Sequence, residues 1–476
     1  MVGAEDHRPV LDHQHPARAR GPVHAEAEVD VDLLGQIIGV VGLGISGQAM
    51  CRLAQARGAH VRAVDTRMGV SVPEGVEAHL GRLDGFSLDG LDRLLVSPGV
   101  QTSGEVWSSW LSTGIRVSGE PSFALEILTA PLIGITGTNG KSSVTQWTGD
   151  LLAAAGVDAF VGGNLGVPLS TLARHVLEGR VMPEALVVEF SSYQLERAEG
   201  IRPVAAAWLN LTPDHLARHG TMEAYARAKA GLFREQTVAD LAILPDHAPL
   251  VDEAMHGCGG AKRLRWGAEI RREGRVAAVE LASQRITIGL EHLGVQGAFN
   301  LDHAVTAATL ALGWARAVGD ARVTPDALTA AMAEISALPH RMQVVPTSDG
   351  VMWVNDSKAT NVAAAAGAIG GLERTAVVLL GGEPKGDDVG ELAPLLHRHR
   401  AVICFGAARE AFQTRLASCG VQAHQRVSMR EAVMLAREIA QASDAILLSP
   451  ACASFDEFQN FAARGESFAA LARGEA

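Results

Sequence analysis

A short apolar run, a polar turn rich in small residues, then a stretch of helical period: this succession begins at Ile37, again at Leu132 and a third time beyond Leu338. Ile37-Ile38-Gly39-Val40-Val41 leads into Gly42-Leu43-Gly44-Ile45-Ser46-Gly47 and a helical stretch to Arg57, followed by strand-like runs at 60–65 and 94–96. From Pro131 the strands expected are 132–135, 185–190, 205–211 and 241–244, with helices at 222–234 and 300–318. The third unit has strands at 352–355, 376–380, 402–405 and 445–448. Runs this short and apolar on both faces suit parallel strands covered by helices. Parallel neighbours in turn demand crossover connections, which the helical stretches supply.

The expectation is therefore an α/β protein of three domains. A Rossmann-like unit covers 34–128, a central P-loop ATPase-like unit with a mostly parallel sheet covers 129–337, and a second Rossmann-like unit covers 338–476. A chain of 476 residues accommodates three such domains. Residues 1–33 carry three prolines, four histidines and several acids without an apolar period, and read as a disordered extension.

Charge and composition remove whole classes of function. Lys plus Arg is 41 against 53 Asp plus Glu, a net −12, which disfavours nucleic acid or an anionic membrane as partner. No apolar run reaches the length of a membrane span, and the N-terminus lacks the apolar stretch of a signal peptide. Five scattered cysteines without a CxxC pair read as free thiols of a cytoplasmic protein.

The lysines are more telling. There are five, Lys141, Lys229, Lys262, Lys358 and Lys385, against 36 arginines. A compositional bias that exchanges lysine for arginine leaves lysine where a compact or deprotonatable amine is needed. Four of the five lie in or near glycine-rich or polar motifs.

The first glycine loop is a full G-x-G-x-x-G with Asp65 closing the following strand, which alone predicts a dinucleotide. Its physics is broader. Close backbone approach and a helix N-terminus suit any nucleotide diphosphate, and a ligand-free tight turn is the bland reading. The second loop, Gly134 to Ser143, ends in Gly140-Lys141-Ser142 as a P-loop does, although Ile135 stands where the strict pattern has its first glycine. Its exposed amides, Lys141 and Ser142 suit a triphosphate and its Mg2+. Glu189 ends one apolar run as a metal-holding acid would, or as a helix cap would. His215 follows another strand end, and Lys229 sits in a helix among small residues.

Ile135 to Ser142, with Glu189, His215 and Lys229 in order, resembles the Mur ligases, the ATP-dependent amide ligases of peptidoglycan precursor synthesis; folylpolyglutamate synthases share the architecture. Asp65 to Met68, Ser97 to Gly99, Gly162 to Gly166, Glu189 to Glu196, Leu338 to Arg341, Asn355 to Asn361 and Leu448 to Asp456 resemble the D-glutamate-adding branch. The D-N-P-R signature of the diaminopimelate-adding branch is absent. The resemblance covers roughly residues 35–470. It implies the substrates UDP-N-acetylmuramoyl-L-alanine, ATP and D-glutamate, joined through an acyl phosphate. It also replaces the dinucleotide reading of the first loop with the uridine diphosphate of the substrate. The alternative is another amide ligase on the same scaffold.

By position, the resemblance assigns Ile45, Ser46, Thr66, Arg67 and Gly99 to the uridylated substrate, with Asn164, Ser191 and Gln194 nearer its muramoyl part. It assigns Gly137, Thr138, Asn139, Gly140, Lys141, Ser142, Ser143, Asn300, Arg341 and Asp356 to ATP. Thr360, Lys385, Ser454 and Phe461 fall to D-glutamate, with Lys358 close by. Two Mg2+ sites are implied, on Ser142, Glu189, His215 and a carbamate carried by Lys229. Lys141, Glu189, His215, Lys229 and Lys358 form the implied catalytic set. His303 stands where the family has an asparagine near the adenine. The expectation is a monomer with no nucleic-acid or membrane partner.

Overall fold

The computed structural model describes residues 32–295, 297–348 and 350–475. Most of the N-terminal extension thus lies outside the described residues. Its last position does not read as a tail: Leu33 is buried in the core of the first domain, and its amide donates to the Arg57 carbonyl. An apolar residue beside a strand has more to gain from burial than the polar residues before it.

The first domain is a parallel five-stranded sheet of β1 (Ile37–Val41), β2 (His60–Asp65), β3 (Glu77–Leu80), β4 (Arg93–Val96) and β5 (Arg116–Gly119), in the order β3-β2-β1-β4-β5. The order reverses between β1 and β4, so a crevice opens beyond their carboxyl ends. Helix α1 (Ile45–Ala56) starts there.

The middle domain has a parallel sheet of β6 (Leu132–Thr136), β7 (Ala159–Gly163), β8 (Ala185–Glu189), β9 (Ala205–Trp208), β10 (Leu241–Leu244) and β11 (Lys262–Arg265), in the order β11-β10-β9-β6-β8-β7. Its strands alternate between two cores: Leu186 and Val188 face one, Ala185 and Val187 the other. Both faces are covered, which is why the strands read as unbroken apolar runs. Helices α2 (Lys141–Ala154), α3 (Met222–Ala230) and α4 (Ala298–Val318) frame the sheet. A three-stranded antiparallel sheet, β12 (Ile270–Glu273), β13 (Val276–Leu281) and β14 (Gln284–Gly289), is inserted before α4. The sequence reading did not anticipate it.

The third domain holds β15 (Gln343–Val345), β16 (Met352–Asn355), β17 (Ala376–Gly381), β18 (Ala401–Phe405), β19 (Ala423–Gln425) and β20 (Ala445–Leu448), in the order β15-β16-β20-β17-β18-β19. Only β15 is antiparallel to its neighbour. Helix α5 (Val362–Gly371) follows β16 and α6 (Phe461–Arg473) closes the chain. Among the described residues, no helix is long and apolar enough to cross a membrane.

The two seams between domains differ. One continuous apolar core runs from Ile38 and Val40 of the first domain into Leu186 and Val188 of the second. The seam to the third domain carries polar links: Arg341 donates to Ser142 Oγ at 2.7 Å, and Asn361 Nδ2 lies 3.2 Å from Asp214 Oδ2. The second and third domains thus meet through hydrogen-bonding side chains around a cleft, with Phe299 of α4 packed against the third domain's core.

Candidate functional site

Two cavities lie at the carboxyl ends of the first two sheets. The first, about 610 Å³, occupies the switch point of the first domain. Ile45, Ser46, Thr66, Arg67, Gly99, Asn164 and Gln194 line it; Ser191 does not. Ser191 instead caps the short helix Ser192–Leu195, donating from its backbone N–H to Gln194 Oε1 at 2.9 Å and fixing the Gln194 side chain. Asp65 is already spoken for: it accepts from the Leu43 amide at 2.6 Å and from the Arg67 guanidinium at 2.9 and 3.0 Å. Arg67 holds its carboxyl down at about 2. An acid engaged in this way closes the loop rather than reaching for a ribose hydroxyl, against the dinucleotide reading of the motif.

The second cavity, about 490 Å³, lies between the second glycine loop and the third domain. Thr138, Asn139, Gly140, Lys141, Ser142, Ser143, Asn300, Arg341 and Asp356 line it, as do Glu189, His215, Lys358, Thr360 and Lys385. Ile135 is a fully buried strand residue, so the glycine of the strict pattern has no task there. The turn begins at Gly137 (φ +149°) and ends at Gly140 (φ +84°), which caps α2. A Cβ on Gly140 would lie 2.3 Å from the His303 ring. His303 therefore packs directly beneath the loop. Burial drives its pKa down to about 4, and its Nδ1 is buried with no hydrogen-bond partner among the described residues.

Asn210, two residues beyond the end of β9, shapes the loop. Its Oδ1 accepts from the amides of Thr138 (3.1 Å) and Asn139 (2.8 Å), and its Nδ2 donates to the Asn139 carbonyl at 3.0 Å. Behind the loop, Lys141 and Lys229 donate to one oxygen, the Gly137 carbonyl, at 3.0 and 2.7 Å. Lys229 is 1% exposed, and its ammonium sits 4.5 Å from the Tyr225 ring centre. Among the described residues it pairs with no carboxylate. Burial and Lys141 push its pKa well below the ordinary lysine value. Two ammonium groups on one carbonyl call for an anion, for a neutral amine, or for both.

Glu189, the acid whose charge acts on both lysines, accepts from Ser142 Oγ at 2.5 Å and from Asn164 Nδ2 at 2.6 Å. Asn164 lines both cavities, so this carboxylate stands where they meet. His215 has left-handed backbone (φ +57°), and its Nδ1 faces the Tyr193 hydroxyl at 3.1 Å, leaving Nε2 for a ligand. Asp356 is buried; lack of solvation raises its carboxyl to about 7, and Ser449 and the Met342 amide bond it. Lys385 reaches Thr360 Oγ1 at 3.3 Å.

Ser454 and Phe461 do not line the cleft. Ser454 is buried, and Phe461 lies beside it through Lys358, whose ammonium is 3.9 Å from the ring centre. Lys229 and Gly137 sit just behind the lining. Asn210, Tyr225, Asp214 and Asn361 belong to the site although the sequence reading gave them no role. The signal available for Asn210 and Asp214 was their place after a strand end.

No three His, Cys, Asp or Glu side chains converge on one point among the described residues. The donors offered to a cation are Ser142 Oγ, Glu189 and His215, a mostly oxygen set that suits Mg2+ and leaves most of its shell to substrate and water.

Comparison with known proteins agrees across the chain. Residues 36–119 match the Mur ligase MurD-like N-terminal domain, 135–310 the Mur ligase middle domain, and 340–452 the Mur ligase glutamate ligase domain. The UDP-N-acetylmuramoylalanine–D-glutamate ligase of Desulfotalea psychrophila is 37% identical over 443 residues, 90% of this chain and 94% of its own. Its namesake in Myxococcus xanthus is 37% identical over 466 residues, 92% and 98% of the two chains. Among solved structures, the MurF ligase of Thermotoga maritima in complex with ADP aligns at a TM-score of 0.57 and 15% identity, covering 94% of this chain and 99% of its own. A bifunctional folylpolyglutamate synthase/dihydrofolate synthase with Mn, AMPPNP and L-glutamate bound aligns at 0.52 and 18%, covering 78% and 99%. These two show the shared fold. With three matched domains and relatives this similar over nine-tenths of its length, the chain belongs to the Mur ligase family.

Proposed function

We propose that this protein joins D-glutamate to UDP-N-acetylmuramoyl-L-alanine, using ATP to activate the acceptor carboxylate as an acyl phosphate. The observation that carries this reading is the junction at Asn164 and Glu189. The cavity suited to a nucleotide diphosphate and the cleft suited to a triphosphate share Asn164, and Asn164 holds Glu189. An acid lying along the first cavity brings its carboxylate to the γ-phosphate there. The relatives named for this reaction supply the identity of the substrates.

A carboxylate is a poor electrophile, and an acyl phosphate carries a good leaving group. Transfer of phosphate onto a carboxylate sets anion against anion, so the site's task is alignment and charge neutralisation. Lys141 and the loop amides hold the β- and γ-phosphates. Ser142 and Glu189 would hold one Mg2+ and His215 a second. When bound, Mg2+ neutralises charge on the phosphate oxygens. Lys229 is assigned a carbamate: its neutral amine, buried beside Lys141 and paired with no carboxylate among the described residues, can add CO2 and release a proton, becoming an anion whose two oxygens would serve the second ion. Arg341, from the third domain, bridges to Ser142 and completes the phosphate side. Lys385 and Thr360 take the side-chain carboxylate of D-glutamate. Three substrates drawn from three domains imply closure of the polar seam, which also keeps water from the acyl phosphate. The use of two nucleotide substrates supports a cytoplasmic reaction.

Mass spectrometry of the product formed from UDP-N-acetylmuramoyl-L-alanine, ATP and D-glutamate tests the reading. The expected result is a product heavier by one glutamyl residue, with phosphate release that needs both the acid and the amino acid. Glutamylation of a folate instead would transfer the assignment to the folylpolyglutamate synthases.

A further inference from the structure

Of the five lysines, four are at the site: Lys141, Lys358 and Lys385 line the cleft, and Lys229 lies behind the loop. Phosphate binding, the carbamate and the substrate's side-chain carboxylate occupy three of them. Lys358 remains, in a chain with 36 arginines and a single lysine, Lys262, away from the site.

We propose that Lys358 is the general base that takes a proton from the α-ammonium of the incoming amino acid. This rests on the amide-ligase reading above and extends it to the second half-reaction.

The position is built firmly. The Lys358 amide donates to the His340 carbonyl at 3.0 Å, and the Thr360 amide donates to the Lys358 carbonyl at 2.8 Å. The Lys358 side chain thus projects from a tight turn beside the Thr360–Lys385 pair assigned to the amino acid. Among the described residues, no carboxylate, hydroxyl or carbonyl takes a hydrogen bond from its Nζ. The Phe461 ring covers one side of the amine at 3.9 Å. The charged groups bearing on it are mostly cationic: Arg341, Lys141 and Lys385, with Glu189 the opposing acid. Asp356 lies two residues before it, His340 faces Phe461, and Arg464 lies one turn along α6. Burial and Arg341 bring the amine down to about 8, close to working pH, where a base is most effective. Arginine in this place would keep the charge and lose the proton acceptor.

The step balances. One proton passes from the α-ammonium to Lys358 Nζ and on to water. The freed lone pair forms the N–C bond to the acyl carbon. The C–O bond to phosphate breaks, its electron pair leaves with the phosphate, and the phosphate takes the second nitrogen proton.

The test compares two acceptors on full-length protein, wild type and Lys358→Arg. D-glutamate arrives as an ammonium and needs a base. Hydroxylamine arrives uncharged at neutral pH and does not. Expected for Lys358→Arg is a loss of glutamyl product of about 10²-fold or more relative to hydroxamate, the usual scale of general-base catalysis. The wild-type rate with D-glutamate should also rise through a limb near pH 8 that the variant lacks. Equal losses with both acceptors would overturn the proposal and assign Lys358 to phosphorylation. So would a variant at wild-type speed with D-glutamate. Wild type giving neither hydroxamate nor glutamyl product from the uridylated acid would remove the amide-ligase reading itself, and this proposal with it.

Discussion

The first and second glycine loops occupy equivalent places and are furnished differently. Each follows a buried strand, turns on a glycine with positive φ, Gly42 (+86°) or Gly137 (+149°), and starts a helix. In the first, Asp65 takes the Leu43 amide and neutralises Arg67, whose side chain is 62% exposed. That loop offers backbone and little net charge. In the second, two amines converge on the Gly137 carbonyl, with Glu189, held by Ser142, as an opposing charge. The backbone geometry makes each an anion cradle. The side chains decide which cradle merely binds a substrate and which can bring two anions together. Substitutions in the second loop should therefore lower turnover, and substitutions in the first should affect the binding of one substrate and the stability of one domain.

The largest effect belongs to Lys229→Ala. If Lys229 carries the proposed carbamate, its removal should lower kcat by about 10²–10³-fold or more, the scale seen when one preorganised electrostatic element is deleted. Added formate or acetate should restore part of the rate, since a small carboxylate fits the volume vacated and carries the missing charge. Full activity without rescue would remove the carbamate and leave Lys229 a structural residue. Asn164→Ala comes next, because Asn164 belongs to both cavities. Losing a hydrogen bond to a carboxylate costs about 1.5–3 kcal/mol, so kcat/KM for the uridylated acid should fall roughly 10–100-fold. ATP affinity, measured by calorimetry in the absence of the acid, should change little. An equal loss of ATP affinity would mean that the two cavities are not separable.

Much of this contrast is legible in the sequence, and the reason is locality. Strand, glycine turn and helix are consecutive in sequence, so both loops, and Lys141 and Ser142 with them, stand out in the string. Glu189 and His215 stand out at strand ends and Lys229 by the rarity of lysine, but no spacing rule connects them to the loop, and only the resemblance groups them around it. Asn210 escaped because its effect is on backbone amides some 70 residues away, at 2.8 and 3.1 Å, which only folding reveals. Asn361 escaped for the same reason: it caps α5 and also reaches Asp214 across the domain seam. The inserted sheet β12 to β14 mixes charged and apolar residues such as Arg271, Arg272 and Glu273, and its alternation is too broken to announce strands. Ile135 shows the converse. A pattern expects glycine there, but the residue lies in the strand and packs in the core.

Two glycines in the first loop separate backbone need from mere motif. A Cβ on Gly47 would lie 1.8 Å from the Gly42 carbonyl oxygen, whereas one on Gly44 would meet nothing within 4 Å. Gly47→Ala should destabilise the protein by about 1–3 kcal/mol and weaken binding of the uridylated acid. Gly44→Ala should stay within about 0.5 kcal/mol of wild type, as open surface changes do. Chemical denaturation of the pair measures both, and similar losses would show that the loop is not built as described.

The smallest effect concerns Asp65, and its sign follows from the direction of the shift. Hydrogen bonding from Arg67, reinforced by the Leu43 and Arg67 amides, lowers the folded pKa from 3.8 to about 2. A carboxylate whose folded pKa lies below its unfolded value favours the folded state once it is ionised in both. Its contribution is therefore complete above about pH 4, shrinks as pH falls toward 2, and is gone below that. Arg67 is largely exposed, so solvent and salt screen the pair and the contribution is modest. Asp65→Asn should remove it. The gap in unfolding free energy between wild type and variant should be constant from about pH 5 to 7 and narrow as pH drops below 4. Among the described residues, the phosphate-side loop has no counterpart to Asp65 in contact with its backbone amides. Asn210, which does not titrate, holds the amides of Thr138 and Asn139 instead. Asn210→Ala should accordingly lower stability by an amount that does not change across the same pH range. If the two gaps narrowed in parallel, the acid would not be what closes the first loop.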